Sequence, residues 1–299
     1  MKILPLSFYL QVLLCSLLWG SAFPVIKNSY EFLQITELSE QLVFAGSRFA
    51  LAGLLILPFC RRSPLKVARE SSTASLGMII FGQTFFQYLF FYFALSVSSG
   101  ALGALLVGAG SLWWVVLAPL MLRTSWPDRR QWITLFCCVV GICIAVYRPG
   151  VGSGNVLIGT IAFLLTSLSS SIGAIGIKRE AIRGGSRALT ALSLFIGGFL
   201  LMAVGAKGWG SYWTSFSWAT FGVTVYLAIL SATAFTLWNR LIENYSVNVL
   251  SSFRFLIPLC GVIESAIFIK GETIGMGIVV GGVLIVGSLA ISSRIERNR

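Results

Sequence analysis

The chain of 299 residues is 57% hydrophobic and only 11% charged, with a mean hydropathy of +0.88. A soluble domain carries about 25% charged residues, so a water-soluble globule and a disordered chain are both excluded. The 22 basic and 10 acidic residues leave a net charge of +12, and the absence of histidine removes haem ligation, histidine-held metal and Ser-His or Cys-His catalysis.

The bilayer is therefore the expected solvent, and a span needs about 20 apolar residues. Ten apolar runs follow in chain order: Leu6–Ile26, Gln41–Cys60, Ser75–Leu95, Ser99–Leu122 and Trp132–Tyr147, then Val156–Ile177, Ala188–Ala206, Ser217–Trp238, Val247–Ile269 and Ile274–Ile291. The first run lacks a small-residue cleavage site and reads as a span, not a removable signal peptide. With the N-terminus placed in the cytoplasm, sixteen Lys and Arg fall inside. Four (Lys27, Arg148, Lys207 and Lys270) fall outside, and Arg48 and Arg254 lie within spans. Basic residues gather in cytoplasmic loops, so both termini are expected in the cytoplasm. This asymmetry explains the positive charge without nucleic acid. The one Asn-x-Ser triplet, Asn244-Tyr245-Ser246, falls on the same inner side. The six cysteines match no metal spacing and read as small packing residues without a structural disulfide.

The two halves echo each other. The run from Leu17 to Ile26 ends on Lys27, and the run from Ser169 to Ile177 ends on Lys178. Ser47–Leu55 aligns loosely with Leu192–Leu200. Residues 1–148 and 149–299 are the two expected repeats. Five spans in each is an odd number, so the second copy must be inverted, a recurring transporter plan with its site at the centre.

Several motifs stand in order along the chain: Trp19-Gly20-Ser21-Ala22-Phe23 before Lys27, Arg48-Phe49 with Ala52-Gly53, and Ala94-Leu95 before Ser98-Ser99-Gly100-Ala101. Pro258 then precedes Gly271-Glu272 and a glycine-rich tenth run. Across its whole length the sequence resembles the EamA type of the drug/metabolite transporter superfamily. The resemblance implies an all-α integral membrane protein of ten transmembrane helices in two inverted five-helix repeats. It also implies alternating access for small metabolites and, for such a chain, residence in a bacterial cytoplasmic (inner) membrane. The first half departs from the pattern, with Ser125 where the family favours Glu and Ser111 opposite Pro258.

Ionisable residues within spans mark function by default, and here they are Arg48, Arg254 and Glu264. Arg48 and Glu264 lie at similar depth from the outer side, so an ion pair or a proton-coupling role is open to them. Gln83 and Gln87 are four residues apart, hence on one helix face, and Tyr88 follows. Trp19 and Ser21, Ser111 and Trp113, and Thr233 are further polar or aromatic residues deep in apolar runs. The expected substrate-binding set is Trp19, Ser21, Gln83, Gln87, Tyr88, Ser111, Trp113, Thr233 and Arg254. Two arginines suit a carboxylate, the amides a zwitterion and the aromatics an apolar side chain, so an amino acid or related metabolite is the expected substrate. An enzyme is disfavoured, because Asp128 is the lone aspartate and lies in a loop. A channel or facilitator, or an exporter of amphipathic compounds, is the alternative. No cofactor or metal is expected. The expected partners are the small substrate and the bilayer, with the chain a monomer or a weak homodimer; Gly277 and Gly281 form a GxxxG in the last run.

Overall fold

The computed structural model describes residues 5–108, 110–126, 129–147, 155–180, 185–245, 250, 253–254, 256–269 and 275–297. Asp128, Arg148, Ser246, Lys270, Gly271 and Glu272, used above for topology or resemblance, lie outside these residues. Helices occupy all ten runs: Leu6–Phe32 (span 1), Leu38–Ile56 (span 2), Thr73–Val97 (span 3), and Gly100–Gly108 with Gly110–Leu122 (span 4). Arg129–Tyr147 forms span 5, Val156–Glu180 span 6, Ser186–Val204 span 7, Trp218–Asn244 span 8, Leu256–Phe268 span 9 and Met276–Arg297 span 10. Spans 1 to 4 and 6 to 8 are long and apolar enough to cross a bilayer, and span 9 is a shorter apolar helix. Large apolar side chains point outward along the bundle, Leu13, Phe199, Ile229, Ile267 and Val283 among them. A water-soluble surface does not tolerate such a girdle.

Side-chain contacts define the two ends of the bundle. At the basic end, an Arg187 guanidinium N–H donates to Phe59 O at 2.5 Å and Arg179 to Met121 O at 2.8 Å. At the opposite end, Asn28 Nδ2 donates to Phe268 O at 2.7 Å. There Glu40 Oε2 accepts from the Thr36 and Glu37 backbone N–H groups at 2.8 and 3.1 Å. These donors at the start of span 2 have no helical partner, and a carboxylate there is also favoured by the helix dipole.

The two halves are interleaved, not set side by side. Span 2 packs chiefly on span 7 and span 5 on span 10. Span 1 packs on span 9 as span 6 does on span 4, and span 1 on span 8 as span 6 does on span 3. Exchanging the halves maps the pairings of spans 2 with 7 and 5 with 10 onto themselves and interchanges the others, which is the signature of a pseudo-twofold repeat. The symmetry reaches single atoms. A Cβ on Gly198 would lie 2.7 Å from Gly46 O, and one on Gly53 would lie 2.7 Å from Ala191 O, so the crossing of spans 2 and 7 depends on missing side chains. Lys27 Nζ donates to Leu95 O and Ser98 O at 3.1 and 2.7 Å. Lys178 Nζ does the same for Ile242 O and Tyr245 O at 3.0 and 2.8 Å. Each lysine thus caps the carbonyl end of the third span of its own repeat, where cations complement the helix dipole.

Candidate substrate site

A cavity of ≈ 70 Å³ lies where spans 1, 2, 3, 4, 6, 8 and 9 converge, room for about five water molecules. Of the residues named from the sequence, Trp19, Arg48, Gln83, Gln87, Tyr88 and Arg254 line it. Phe23, Ser170, Ser231, Phe235 and Trp238 are among the other residues of the wall. Trp19 stands edge-on to both Phe235 and Trp238, with ring centroids 5.4 and 5.5 Å apart.

The arginines are buried to 2% and 6% exposure, and no carboxylate lies within ion-pair distance of either among the described residues. Arg48 Nη1 donates to Ser231 Oγ at 3.2 Å. Its guanidinium lies over Phe49, Tyr88 and Tyr92, with the carbon 4.1, 5.5 and 5.6 Å from the ring centroids, an arrangement in which the ring faces attract the cation. Its Nε has no partner. Arg254 Nη2 donates to Ser170 Oγ at 2.9 Å and the group sits 5.7 Å from the Trp114 centroid, while Nη1 has no partner.

Sequence dictates how Arg254 enters the cavity. Pro258 lacks an N–H, so the Arg254 carbonyl loses its helical donor four residues on. It accepts instead from Ile257 N at 3.2 Å, and the helix loosens into a turn at Arg254. Gly110 gives the guanidinium its space, since a Cβ there would lie 2.8 Å from Nη2.

Gln83 sits in a π-helical stretch, Met78–Phe85, inside span 3. Such wide turns recur at functional sites, and this one lets Gly82 press against Gly173 of span 6. The Gln83 amide is already paired: Nε2 donates to Asn239 Oδ1 at 2.8 Å and Oε1 accepts from Asn239 Nδ2 at 2.9 Å. Asn239 in turn donates to Thr190 Oγ1 at 2.7 Å. Gln87 differs, because its buried Oε1 has no partner. Gln83→Leu would leave Asn239 Oδ1 without its donor and Asn239 Nδ2 with Thr190 Oγ1 as its acceptor, and an unsatisfied group costs about 1–3 kcal/mol in a buried site. We expect that variant to melt at lower temperature in detergent, whereas Gln87→Leu should raise the apparent KM with melting unchanged. Equal effects on both quantities in the two variants would refute the distinction.

The remaining expected site residues are not at this cavity. The Ser21 hydroxyl bonds to Leu18 O at 3.0 Å and to the Tyr226 hydroxyl at 3.2 Å. Ser111 is fully buried outside the cavity wall, and Trp113 Nε1 donates to Ser167 Oγ at 3.0 Å, tying span 4 to span 6. Thr233 lines a different depression, on the outside of the bundle. The Arg48–Glu264 ion pair is not formed. Arg48 turns to Ser231 and its aromatic cage, while Glu264 Oε1 is buried without a partner against Gly20 of span 1. Similar depth along the bilayer placed the two residues on one level but left their rotation about their helices undetermined.

The comparisons with known proteins agree with this architecture. The EamA-like transporter family matches the chain twice, over residues 6–147 and 157–294. The chain is 24% identical to "Uncharacterized transporter YvbV" of Bacillus subtilis (strain 168), covering 92% of this chain and 88% of that protein. It is also 24% identical to "Uncharacterized transporter YyaM" of the same organism, covering 98% and 95%. A solved crystal structure superposes with a TM-score of 0.57 at 16% identity, over 94% of this chain and 98% of that one, which supports the fold.

Proposed function

The chain belongs to the EamA-like transporter family, and from that premise we propose that it moves a small amino acid or related carboxylate by alternating access. The observation that carries the reading is the pair of buried guanidinium groups at one cavity, each with an unpartnered nitrogen and, among the described residues, no carboxylate within ion-pair distance. A buried, uncompensated charge is costly, and an anionic substrate supplies the missing partner. The unpartnered Gln87 oxygen is an acceptor suited to an ammonium group. The aromatic wall takes the side chain, and the ≈ 70 Å³ of space favours a small solute over a bulky drug. In this reading residues 1–148 and 149–299 are the two repeats, and the cavity near the pseudo-twofold axis is reached from either side in turn.

The decisive experiment is uptake and counterflow in proteoliposomes against a panel of labelled amino acids, their decarboxylated amines and their amides. Saturable transport of an acid, without its amine or amide, is the expected result. Transport of amines alone would overturn the anion assignment.

We place the basic end in the cytoplasm of a bacterial cell, on the strength of its arginines. Membrane-impermeant thiol reagents should then label Lys207→Cys from outside but leave Arg61→Cys untouched; the reverse pattern inverts the topology. Glu264 is the proposed proton carrier, supported by its unpartnered oxygen between spans 1 and 9. Glu264→Gln should abolish accumulation driven by a pH gradient while sparing counterflow. Gradient-driven accumulation at the wild-type level would remove Glu264 from the mechanism.

A further inference from the structure

We infer that the outer surface between spans 2 and 8 is a built site for one anionic phospholipid, with its phosphate at the basic end and an acyl chain running toward the bilayer centre. Two depressions meet there. One, of ≈ 350 Å³, is lined by Arg61, Arg62, Arg187 and Arg240, with Ser186 and Glu243. The other, of ≈ 380 Å³, is an apolar groove formed by Leu55, Phe59, Ile229, Ala232 and Leu237, and it also holds Thr233. Arg187 and Thr236 line both, so basin and groove are continuous. A polar basin opening into an apolar trough matches an amphiphile whose charged head and hydrocarbon tail are joined.

The dimensions and charges fit one occupant. From Arg240 down to Ile229 is eleven residues of span 8, about 16 Å at the helical rise, or roughly one leaflet of a hydrocarbon core about 30 Å thick. Arg62 is tied to Glu70, Arg187 donates to Phe59 O, and Glu243 Oε2 accepts from Ser186 Oγ at 2.6 Å. The exposed Arg61 and Arg240 have no side-chain partner among the described residues. Glu70 and Glu243 set against four arginines leave two positive charges in excess. A phosphodiester carries one negative charge and several acceptor oxygens, the chemistry that guanidinium groups recognise best. The groove is separate from the substrate cavity although span 8 borders both. Leu230, Ser231, Phe235 and Trp238 face the cavity, while Ile229, Ala232, Thr233 and Leu237 face the groove. Thr233, named from the sequence for substrate, therefore sits where a lipid tail would lie.

Native mass spectrometry of the detergent-purified full chain, titrated with dioleoyl phosphatidylglycerol or dioleoyl phosphatidylcholine, tests the site. The wild type should hold one phosphatidylglycerol about tenfold more tightly than phosphatidylcholine, since each basic residue near a membrane surface contributes measurably to anionic-lipid binding. Arg61→Gln with Arg240→Gln should erase that preference. Ala232→Phe fills the groove without changing charge and should weaken phosphatidylglycerol binding by a similar factor. If that variant does not purify as a single species, dihexanoyl phosphatidylglycerol replaces it, and its shorter chains should bind more weakly. An undiminished preference in the double variant overturns the proposal. Glycerol phosphate stabilising the wild type as strongly as the whole lipid also overturns it, by showing a site for a free anion.

Discussion

Replacing Arg254 by Gln is expected to raise the apparent KM roughly ten- to hundredfold while the protein remains folded. The magnitude follows from a hydrogen bond to a charged group, worth about 1.5–3 kcal/mol, with a factor of ten for each 1.4 kcal/mol. Folding survives because, among the described residues, the side chain brings no ion pair to the bundle: Nη2 donates to Ser170 Oγ, and Nη1 has no partner. Glutamine removes a buried charge, and such a loss is neutral or stabilising when no counter-charge is left behind. Arg254→Lys keeps the charge but replaces a planar fork by a compact ammonium, so partial activity is expected. Proteoliposome kinetics beside thermal melting in detergent provide the check. A Gln variant with wild-type KM would show that Arg254 serves packing and not the substrate.

The second large effect is structural. Gly198→Leu should prevent recovery of monodisperse protein, because its Cβ would stand 2.5 Å from Ala50 N and 2.7 Å from Gly46 O. These are backbone atoms of span 2 and cannot rotate aside. Overpacking usually costs about 1–3 kcal/mol and sometimes more; here the clash lies at the interface that joins the two halves. Gly222 is the control, since a Cβ there meets nothing within 4 Å, and Gly222→Ala should be at least as stable as the wild type, alanine being the better helix former by about 1 kcal/mol. Size-exclusion profiles would decide it: a normal peak for Gly198→Leu would mean that spans 2 and 7 can part without loss.

Much of this architecture is legible in the sequence because hydropathy reports it directly. All ten apolar runs became helices, and the echo between Lys27 and Lys178 marked a real equivalence, each lysine capping the same helix of its repeat. What periodicity does not reveal is rotation. A step of one residue turns a side chain by about 100°. In spans apolar on every face, no polar stripe fixes the zero of that angle. Ser231 and Thr233 are two residues apart, yet one lines the cavity and the other the outer groove. Trp113 and Ser111 were selected for polarity deep in an apolar run, yet neither lines the cavity, and Trp113 bonds to Ser167 of span 6 instead. The π-helical stretch holding Gln83 leaves no compositional trace, and the pairing of Gln83 with Asn239 joins residues 156 positions apart. Val107 and Arg254 both line the cavity from spans 4 and 9; these spans are equivalent in the repeat, so the scaffold is symmetric and its chemistry is not.

The interleaving of the two halves bears on how such a chain is made. Every one of the most extensive helix–helix interfaces joins a span from the first five to one from the last five. The ribosome delivers the first five well before their partners exist, so spans 1 to 5 enter the membrane with their Gly46 and Arg48 faces uncovered. Assembly of those interfaces must wait for spans 6 to 10. The same geometry makes the two fragments obligate complements. Expressed apart they should be degraded, and expressed together from separate messages they should recover a full bundle.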